Sequence, residues 1–311
     1  MDRRPAQRIL GDWGTTRLRL MLVVDDRQIL EQREGPGIGA LTRSPADTLL
    51  ESIGDWRERG LARVVLAGMA GSRNGLLEVP YLQAPADRFA WARAACSLTL
   101  QDLNVVVAAG LSCERDGAAD VMRGEENQIY GAIEMNPALS ADSHLLVLPG
   151  THSKWVEIED GAIVRFHTAL TGELYALLRD HSILLRTGGN AEHSQSEFDD
   201  GFRAGVDRAN KWGIGLVNTA FEARTAQLMD GRSRSWASGF LSGLTIGEEI
   251  RGLGGRYRAE RGVTLIGDPK LTALYATAFE RRGLRTDILD GAACALRGLR
   301  FLDTTHEGHT R

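Results

Sequence analysis

The stretch that decides the fold is GDWGTTRLRLMLVV, residues 11–24. A carboxylate, glycines and two threonines are followed at once by residues that alternate between polar and apolar, which is the period of a half-buried strand. Phosphate-binding loops more often lead into a helix, because the N-terminus of a helix attracts anions. The stretch therefore predicts a tight turn between two strands, with Asp12 at the end of the first strand.

The segments around this turn predict an α/β half. Residues 7–34 are expected to form an antiparallel meander of three strands, with a further turn at Asp25-Asp26. A helix is expected to follow Ser44, whose hydroxyl suits an N-cap. Short buried strands are predicted at residues 63–68 and 104–109. Strands separated by helical stretches indicate an α/β layer.

A second meander with the same plan is predicted later in the chain. Residues 145–148 have the pattern of a buried strand, and a turn containing Gly150 and Ser153 follows. The next two strands, within residues 154–167, are joined by Asp160-Gly161, a dipeptide typical of hairpins. The repeated order of strand, turn, strand, acidic turn and strand suggests two related halves.

The remainder of the chain is predicted to be mostly helical. It contains one clear late strand at residues 263–266, which ends at Gly267-Asp268 and is followed by a helix over residues 271–282. Gly239, Gly243 and Gly247 are spaced by four, so one face of their helix can approach a neighbouring helix or a nucleotide. Tight helix packing is the plainer of these two interpretations.

Composition limits the classes of function. The chain has 311 residues, a length that suits two domains, and 25% of them are charged. A formal net charge of −4 does not favour a nucleic-acid partner. No stretch approaches the ~18 uninterrupted apolar residues of a membrane span, and the N-terminus lacks the apolar run of a signal peptide. The three cysteines form no CxxC motif, which favours a reducing cytoplasm.

The two halves, each with a Gly/Thr hairpin turn, and the late strand–Gly–helix segment resemble the actin/sugar-kinase/Hsp70 ATPase superfamily. This resemblance implies an α/β fold with two RNase-H-like domains, the actin-like ATPase arrangement, around a central cleft for nucleotide and substrate. Residues 1–125 would form the domain with the sugar-acid site and the first phosphate turn. Residues 126–311 would form the domain with the second phosphate turn and the adenosine-binding segment.

Longer strings narrow the resemblance to the 2-dehydro-3-deoxygalactonokinase family, from residue 7 to about residue 302. The strings are VVLAGMAGSRNGLLEVPYLQAPA (64–86), DVMRGEENQIYGA (120–132), LPGTHSKWVEIEDG (148–161) and ASGFLSGLTIGEEI (237–250). Members of this family phosphorylate 2-dehydro-3-deoxy-D-galactonate, a six-carbon 2-keto sugar acid, at O6 with ATP and Mg²⁺. The resemblance therefore implies a cytoplasmic kinase of galactonate and galactose catabolism.

The first turn is expected to hold metal and phosphate. Asp12 is predicted to be catalytic as the Mg²⁺ ligand, because Mg²⁺ binds through few protein carboxylates and keeps several waters. Gly14, Thr15 and Thr16 are predicted to hold phosphates, since glycine lets the backbone approach closely and successive N–H groups can surround an anion. The alternative is an ordinary hairpin turn that Asp12 caps.

The second half is expected to supply the rest of the nucleotide site. The predicted residues are Gly150, Thr151 and Ser153 in the second phosphate turn, and Gly267, Asp268 and Lys270 on the adenosine side. His152 either contacts phosphate or only orients the turn. Lys154 is expected to point to solvent from its strand.

Transfer to an alcohol requires a base within hydrogen-bond reach of the hydroxyl. Gly124-Glu125-Glu126 occupies the place, just before the second meander, where carbohydrate kinases that this chain resembles carry a Gly followed by an Asp. Glu125 is favoured as the base, with Glu126 and Asp120 as alternatives. A purely structural interpretation is an acidic cluster that stabilises the start of a helix.

A keto-acid substrate requires a cation for its carboxylate. Arg73 and Arg123 are the predicted candidates, because the guanidinium group binds a carboxylate through two hydrogen bonds. Asn74 is predicted to bind sugar hydroxyls. For either arginine the alternative is a solvated surface charge.

Other functions of the same fold stay open at this point. They are a kinase for another keto sugar acid or a hexose, and an ATPase module that uses no sugar. The chain contains no GxxxxGK[ST] motif, which argues against a P-loop kinase. The expected partners are ATP and a small sugar acid, with no nucleic acid and no membrane; a homodimer is left open.

Overall fold

The computed structural model describes residues 7–24, 28–186, 193–211, 215–257 and 261–307. The chain divides into two compact units. The first is Met1–Ser143, Ile158–Phe166 and Gly291–Arg311, and the second is His144–Glu157 and His167–Asp290. The segment Gly291–Arg311 thus belongs to the first unit. The division into residues 1–125 and 126–311 stays a prediction.

Runs of strands are separated by helices along the chain. The strands are β1 (Gln7–Trp13), β2 (Arg17–Val24), β3 (Gln28–Pro36), β4 (Leu61–Gly68), β5 (Leu82–Gln83), β6 (Cys96–Leu100), β7 (Leu103–Val107), β8 (Leu111–Arg115), β9 (Ala118–Met122), β10 (Ser143–Leu148), β11 (Ser153–Glu159), β12 (Ala162–Ala169), β13 (Val263–Gly267) and β14 (Thr286–Asp290). The helices are α1 (Pro45–Ile53), α2 (Arg88–Arg93), α3 (Glu125–Met135), α4 (Thr171–His181), α5 (Gln195–Asn210), α6 (Leu216–Thr219), α7 (Glu222–Met229), α8 (Arg234–Leu253), α9 (Pro269–Glu280) and α10 (Gly291–Glu307).

Two sheets share one strand order over five strands, and the first has β6 as an additional edge strand. The first runs β3-β2-β1-β4-β7-β6 and the second runs β12-β11-β10-β13-β14. In both, a three-strand meander is followed by strands parallel to its first strand: β4 pairs in parallel with β1, and β13 with β10. A small third sheet has the order β5-β8-β9. The repeated plan predicted from the two meanders is confirmed.

The opening stretch forms the predicted hairpin. The N–H of Gly14 donates to the carbonyl of Arg17 at 2.8 Å, and β1 and β2 pair antiparallel from there. Leu18 and Leu20 are buried while Arg17 and Arg19 are exposed, which is the alternation of a half-buried strand. The Asp25-Asp26 turn lies outside the described residues.

Local signals explain the other predicted boundaries. Ser44 Oγ accepts a hydrogen bond from the N–H of Asp47 at 3.1 Å, so it caps α1 as expected. A 3₁₀ segment, Gly54–Arg59, continues the helix to Gly60, where a φ of 79° ends it. In the second meander Asp160 and Gly161 both have positive φ, 48° and 77°, as a two-residue hairpin loop requires.

Some elements differ from the prediction. The late helix is Pro269–Glu280 rather than 271–282, because Asp268 caps it. Strand β14 was not predicted, since its sequence TDILD has little apolar character and is half-exposed. The hairpin β8–β9 was also missed, although Asp116-Gly117 carries its turn with φ values of 51° and 77°.

Glycines let two helix pairs pack backbone to backbone. A Cβ on Gly239 or Gly243 of α8 would overlap carbonyl oxygens of α5, and a Cβ on Gly205 of α5 would overlap a carbonyl of α8. In the first unit, Gly131 of α3 and Gly298 of α10 meet the facing backbone in the same way. The interpretation of Gly239, Gly243 and Gly247 as tight helix packing is therefore confirmed.

We expect Gly243→Ala to destabilise the second unit by about 1–3 kcal/mol, because its methyl group would overlap the carbonyl oxygen of Phe202. Gly252→Ala on the same helix is the matched control, since no atom lies within 4 Å of its Cβ position. That change should stabilise by about 0.5–1 kcal/mol. Urea unfolding measures both, and equal stabilities for the two variants would contradict the packing.

Over the described residues, no helix combines the length and apolar character needed to cross a bilayer.

Candidate functional site

The first turn is supported by a glycine-rich loop. The N–H groups of Ile38 and Gly39 donate to the carbonyls of Gly14 and Thr15 at 3.1 and 2.9 Å. A Cβ on Gly37 would overlap the backbone of Thr15 and Thr16, so this approach requires glycine. The side chains of Thr15 and Thr16 are exposed. The loop therefore fixes the turn from one side and leaves both threonine side chains accessible.

Asp12 lies at the carboxyl end of β1, beside the end of β4. Its register partner in β4 is Ala67, so Gly68 is the next residue along that strand. Gly68 has a φ of 80°, and a Cβ there would lie 3.1 Å from Oδ1 of Asp12 and 2.7 Å from the carbonyl oxygen of Trp13. Glycine at this position therefore keeps space open beside the carboxylate.

Helix α3 begins against the same strand end. Gly124, the residue before the helix, has a φ of 115°, and its Cβ position is 3.3 Å from the Cα of Gly68. Burial raises the pKa of Asp12 to about 6; the charge of Arg19 lowers this pKa and that of Glu125 raises it. The first turn of α3 thus brings a second carboxylate into the electrostatic environment of Asp12.

The two glutamates of α3 occupy different environments. Both oxygens of Glu126 accept from the N–H of Gly124, at 2.9 and 2.7 Å, and the side chain is fully buried. Burial, and then the charge of Glu125, raise the pKa of Glu126 to about 8. Glu125 is half-exposed, and its Oε2 accepts from the N–H of Arg123 at 3.1 Å. Asp120 lies on β9 and accepts from the N–H of Val121.

The buried Glu126 makes stability depend on pH. The pKa of Glu126 is about 8 in the folded chain, against 4.5 for the unfolded reference. The contribution of the protonated side chain to the free energy of unfolding is therefore complete below pH 4.5 and is lost as pH rises through about 8. We expect Glu126→Gln, which keeps an oxygen for Gly124, to be more stable than the wild type at pH 8.5 by on the order of 3 kcal/mol. Urea unfolding at pH 5 and 8.5 measures this; a wild-type advantage that grows with pH would contradict it.

Arg123 is held in place with part of its guanidinium unused. Nη2 donates to the carbonyl of Val79 at 2.8 Å, and Cζ lies 4.2 Å from the centre of the Tyr81 ring. Its Nε and Nη1 are buried and meet no hydrogen-bond partner within the described part of the chain. A Cβ on Gly71 would lie 2.6 Å from Nη1, so the small residue at 71 makes room for the group.

Arg73 has a different setting. Its side chain is 87% exposed, and its Nε is 3.7 Å from Oε1 of Glu78, which is a weak surface ion pair. Asn74 beside it is also exposed. Of the two predicted arginines, Arg123 is therefore the one that the fold orients.

The second turn is supported by the start of α4. The N–H of Glu173 donates to the carbonyl of Thr151 at 2.9 Å, and a Cβ on Gly172 would overlap the carbonyl oxygen of Gly150. His152 and Glu173 are joined through Nε2 and Oε2 at 2.5 Å, and both side chains are about half-exposed. The turn is thus fixed to α4 in the way that the first turn is fixed to its glycine loop.

Two residues after the second turn point inward. Ser153 is fully buried, and its hydroxyl forms a 2.8 Å hydrogen bond with the hydroxyl of Tyr275. Lys154 was expected to face solvent, and this is wrong: only 5% of it is exposed, and Nζ donates to Oγ1 of Thr168 at 2.9 Å. The reason is that both faces of β11 are covered, as its unbroken run of buried residues from Ser153 to Val156 shows.

The late segment lies beside the second turn. A Cβ on Gly267 would be 3.5 Å from the carbonyl oxygen of Pro149, the residue before the turn. Asp268 accepts from the N–H groups of Lys270 and Leu271 at 2.9 and 3.3 Å, so its carboxylate caps α9. The side chain of Lys270 is exposed. The structure therefore brings together the second turn and the predicted adenosine segment, both of which belong to the second unit.

Comparison with known proteins decides the family. The family model of 2-keto-3-deoxy-galactonokinase matches residues 12–302 of the chain. The chain belongs to the 2-keto-3-deoxy-galactonokinase family. The resemblance inferred from the sequence strings is thereby confirmed.

Relatives of this family cover nearly the whole chain. The 2-dehydro-3-deoxygalactonokinase of Escherichia coli (strain K12) is 35% identical over 298 residues, which are 96% of this chain and 97% of that protein. A crystal structure described as a candidate 2-dehydro-3-deoxygalactonokinase from Sinorhizobium meliloti superposes with a TM-score of 0.81 at 31% identity, covering 95% of this chain and 97% of that one. Component A of (R)-2-hydroxyglutaryl-CoA dehydratase from Acidaminococcus fermentans, at 12% identity, gives a TM-score of 0.52 over 96% of this chain and 99% of that one, which shows the fold alone.

The predicted fold class is confirmed as well. This family member has the α/β architecture of the actin-like ATPases, with two sheets of the same strand order. Sequence reasoning assigned no role to the glycines that support the first turn, the end of β4 and the second turn, which are Gly37, Gly68 and Gly172. Gly68 ends a buried strand and precedes the GSRNG loop, which is a signal for a close backbone approach; Gly37 and Gly172 carry no comparable signal.

The carboxylate of Asp12 is of the kind that binds a magnesium ion together with substrate phosphates. Among the residues that the structure describes, no His, Cys, Asp or Glu side chains form a group of three or more suited to hold a metal ion. Mg²⁺ needs no such group, because it binds through one or two carboxylates together with substrate phosphates and water. Asp12, desolvated and close to the charge of Glu125, is a carboxylate that a bound cation would stabilise in its ionised form.

Proposed function

We propose that this protein transfers the γ-phosphoryl group of ATP to O6 of 2-dehydro-3-deoxy-D-galactonate in the presence of Mg²⁺. Family membership supports the reaction and the substrate class. The observation that carries the proposal is the carboxylate pair at one strand end: Asp12 on β1 and Glu125 at the start of α3, with Gly68 keeping the space beside Asp12 open. Phosphoryl transfer needs a carboxylate for the metal and another for the substrate hydroxyl.

Asp12 is the proposed Mg²⁺ residue. When bound there, Mg²⁺ would neutralise charge on the phosphates of ATP. Thr15 and Thr16, in the turn that follows Asp12, have exposed side chains, and Gly14 allows close backbone approach. These residues are proposed to contact phosphate.

Glu125 is the proposed base. It takes the proton from the O6 hydroxyl as O6 forms its bond to the γ-phosphorus and the bond from that phosphorus to the bridging oxygen of ADP breaks. Glu126 is a poorer base, because it is fully buried, both its oxygens are bonded to Gly124 and its raised pKa keeps it protonated at neutral pH. Asp120 lies on β9 and not at the start of α3, which is the element that begins beside Gly68.

In the second unit, Gly150 and Thr151 are proposed to bind phosphate, with Gly267 and Lys270 on the adenosine side. Ser153 and Asp268 would contribute through their backbone, because the hydroxyl of Ser153 is buried and the carboxylate of Asp268 caps α9.

Arg123 is the proposed partner of the substrate carboxylate, and Asn74 the proposed contact for sugar hydroxyls. We expect Arg123→Met to raise KM for the keto acid by about 100-fold, because a charged hydrogen-bonding partner is lost, while KM for ATP stays near the wild-type value. Arg73→Met is the matched control and should change KM by less than about threefold, since its side chain is solvated. Initial-rate kinetics of both variants measure this, and a larger effect at Arg73 would reverse the assignment.

We also propose that the protein acts in the cytoplasm on small molecules. No disulfide joins its three cysteines, all of which lie within the described residues. A homodimer stays a prediction.

Product analysis tests the proposed reaction. The protein, ATP, Mg²⁺ and 2-dehydro-3-deoxy-D-galactonate are incubated, and ³¹P NMR with proton coupling locates the new phosphate. A phosphate monoester coupled to the two protons on C6 is the expected result. A product phosphorylated at another hydroxyl, or free phosphate without a sugar phosphate, would contradict the proposal.

A further inference from the structure

Close to the second turn lies a buried carboxylate that has no role in the proposed reaction. Glu249 on α8 is 8% exposed. Its Oε1 accepts from Nε1 of Trp155 at 2.6 Å, and its Oε2 accepts from the hydroxyl of Tyr275 at 2.6 Å. The hydroxyl groups of Thr171 and Ser153 also hydrogen-bond within this cluster. We call these five residues the Glu249 cluster.

The direction of the hydrogen bonds follows from the donor types. An indole N–H can only donate, so Oε1 of Glu249 is an acceptor. The hydroxyl proton of Tyr275 goes to Oε2, and the oxygen of Tyr275 is left to accept the proton of Ser153 at 2.8 Å. The carboxylate is therefore the end acceptor of a chain that begins at Ser153, the residue directly after the second turn.

Each donor belongs to a segment that borders the proposed nucleotide site. Ser153 opens β11, immediately after Gly150–His152. Thr171 opens α4, and the next residue, Gly172, packs on the carbonyl of Gly150. Tyr275 lies on α9, about one and a half helical turns after Lys270. One carboxylate on α8 thus connects the turn, the helix that supports it and the helix of the adenosine segment.

A purely structural role does not account for a carboxylate in this place. Burial raises the pKa of Glu249, and the hydrogen bonds of its neighbours lower it only in part, which shows that desolvation opposes its charge. Apolar residues of similar volume usually stabilise a core as well as buried charges do. A buried acceptor with several directed donors instead fixes the relative position of the segments that donate.

We propose that Glu249 is a positioning residue for nucleotide binding, which holds the second turn and the start of α9 in the geometry that receives ATP. The inference rests on the proposed role of the second turn. Without the carboxylate, the proton of Tyr275 and the N–H of Trp155 lose their acceptor, and Ser153 and Thr171 lose the group that aligns them. The turn then relaxes, and nucleotide affinity falls while the sugar-acid site in the first unit is unaffected.

The test separates affinity from stability. Binding of Mg·ADP is measured by calorimetry for the wild type, Glu249→Ala, Glu249→Gln, Tyr275→Phe and Ile250→Ala. We expect Glu249→Ala to weaken binding at least about tenfold and Tyr275→Phe about fivefold, while KM for the keto acid at saturating ATP stays within about twofold. Glu249→Gln should remain within about threefold of the wild type, because its amide can accept from Trp155 and donate to Tyr275, whose hydroxyl then donates to Ser153.

Ile250→Ala is the matched control. It lies next to Glu249, is fully buried in the same unit and makes no contact of this kind, so it lowers Tm without changing the affinity for Mg·ADP. If Glu249→Ala does not fold, Tyr275→Phe decides, since it removes one hydroxyl and keeps the ring. Unchanged affinity in Tyr275→Phe and in a folded Glu249→Ala, or an equal loss in Ile250→Ala, would overturn the inference.

The same experiment distinguishes this inference from the proposed function. A wild type that binds Mg·ADP but phosphorylates no keto acid would contradict the proposed substrate, and the variants would still decide the role of Glu249. A wild type that binds no nucleotide would contradict the role of the second turn and overturn the inference with it.

Discussion

Asp12→Asn is expected to lower kcat roughly 10³-fold or more, because it removes the charge that holds the metal beside the phosphates. The change keeps the size of the side chain. The substitution should not destabilise the fold at pH 7.5. The pKa of Asp12 is raised to about 6, against a reference of 3.8, so the stabilising contribution of the protonated carboxyl group is already lost above pH 6. Loss of turnover with an unchanged or higher Tm is therefore the expected pair of results.

The measurement is kcat at saturating ATP, keto acid and Mg²⁺, together with Tm. Asp116→Asn is the control, because Asp116 lies in the exposed β8–β9 turn with a positive φ that asparagine also adopts. That variant should keep both activity and Tm. If Asp12→Asn retained more than about a tenth of the wild-type kcat, the metal assignment would be wrong.

Glu125→Gln is expected to lower kcat about 10²- to 10⁴-fold with little change in nucleotide or keto-acid affinity, since a base acts on the proton in the transition state rather than on ground-state binding. Its amide oxygen can still accept from the N–H of Arg123, so the start of α3 is preserved. Rapid-quench or steady-state rates, with calorimetry for binding, measure the split.

Glu126→Gln is the natural comparison, because it changes the adjacent residue in the same way. We expect it to keep most of the wild-type kcat, since Glu126 is buried and bonded to Gly124. The opposite outcome, with turnover lost in Glu126→Gln and kept in Glu125→Gln, would move the base to the buried glutamate.

The backbone plan could be predicted because its signals are local. The alternation after Thr16, the hydroxyl of Ser44 and the dipeptide Asp160-Gly161 each determine a short piece of structure through contacts with residues nearby in sequence. Strand β14 gave no such signal, because its position in the sheet is set by pairing with β13 rather than by its own composition. Whether the side chain of Lys154 is buried depends likewise on the segments that cover both faces of β11.

The site was predicted in part, for a similar reason. Residues placed at strand ends, such as Asp12, follow from the position of the strand. Which of Arg73 and Arg123 is oriented does not follow from the position of a strand. It depends on Val79 and Tyr81, which contact the guanidinium group of Arg123 only.

The difference between Glu125 and Glu126 is likewise a property of the folded chain. Adjacent residues on a helix point in different directions, and only the fold decides which of them is buried. The Glu249 cluster was invisible in the sequence for the same reason, since its members are as far apart as Ser153 and Tyr275.

The acceptor dependence of ATP consumption tests the central claim most directly. A coupled assay with Mg²⁺ compares 2-dehydro-3-deoxy-D-galactonate, its gluconate epimer and no acceptor. The account predicts rapid ADP formation with the galactonate acid, a slower rate with the epimer and almost none without an acceptor. Steady ATP hydrolysis at one rate in all three would contradict it and would favour an ATPase that uses no sugar.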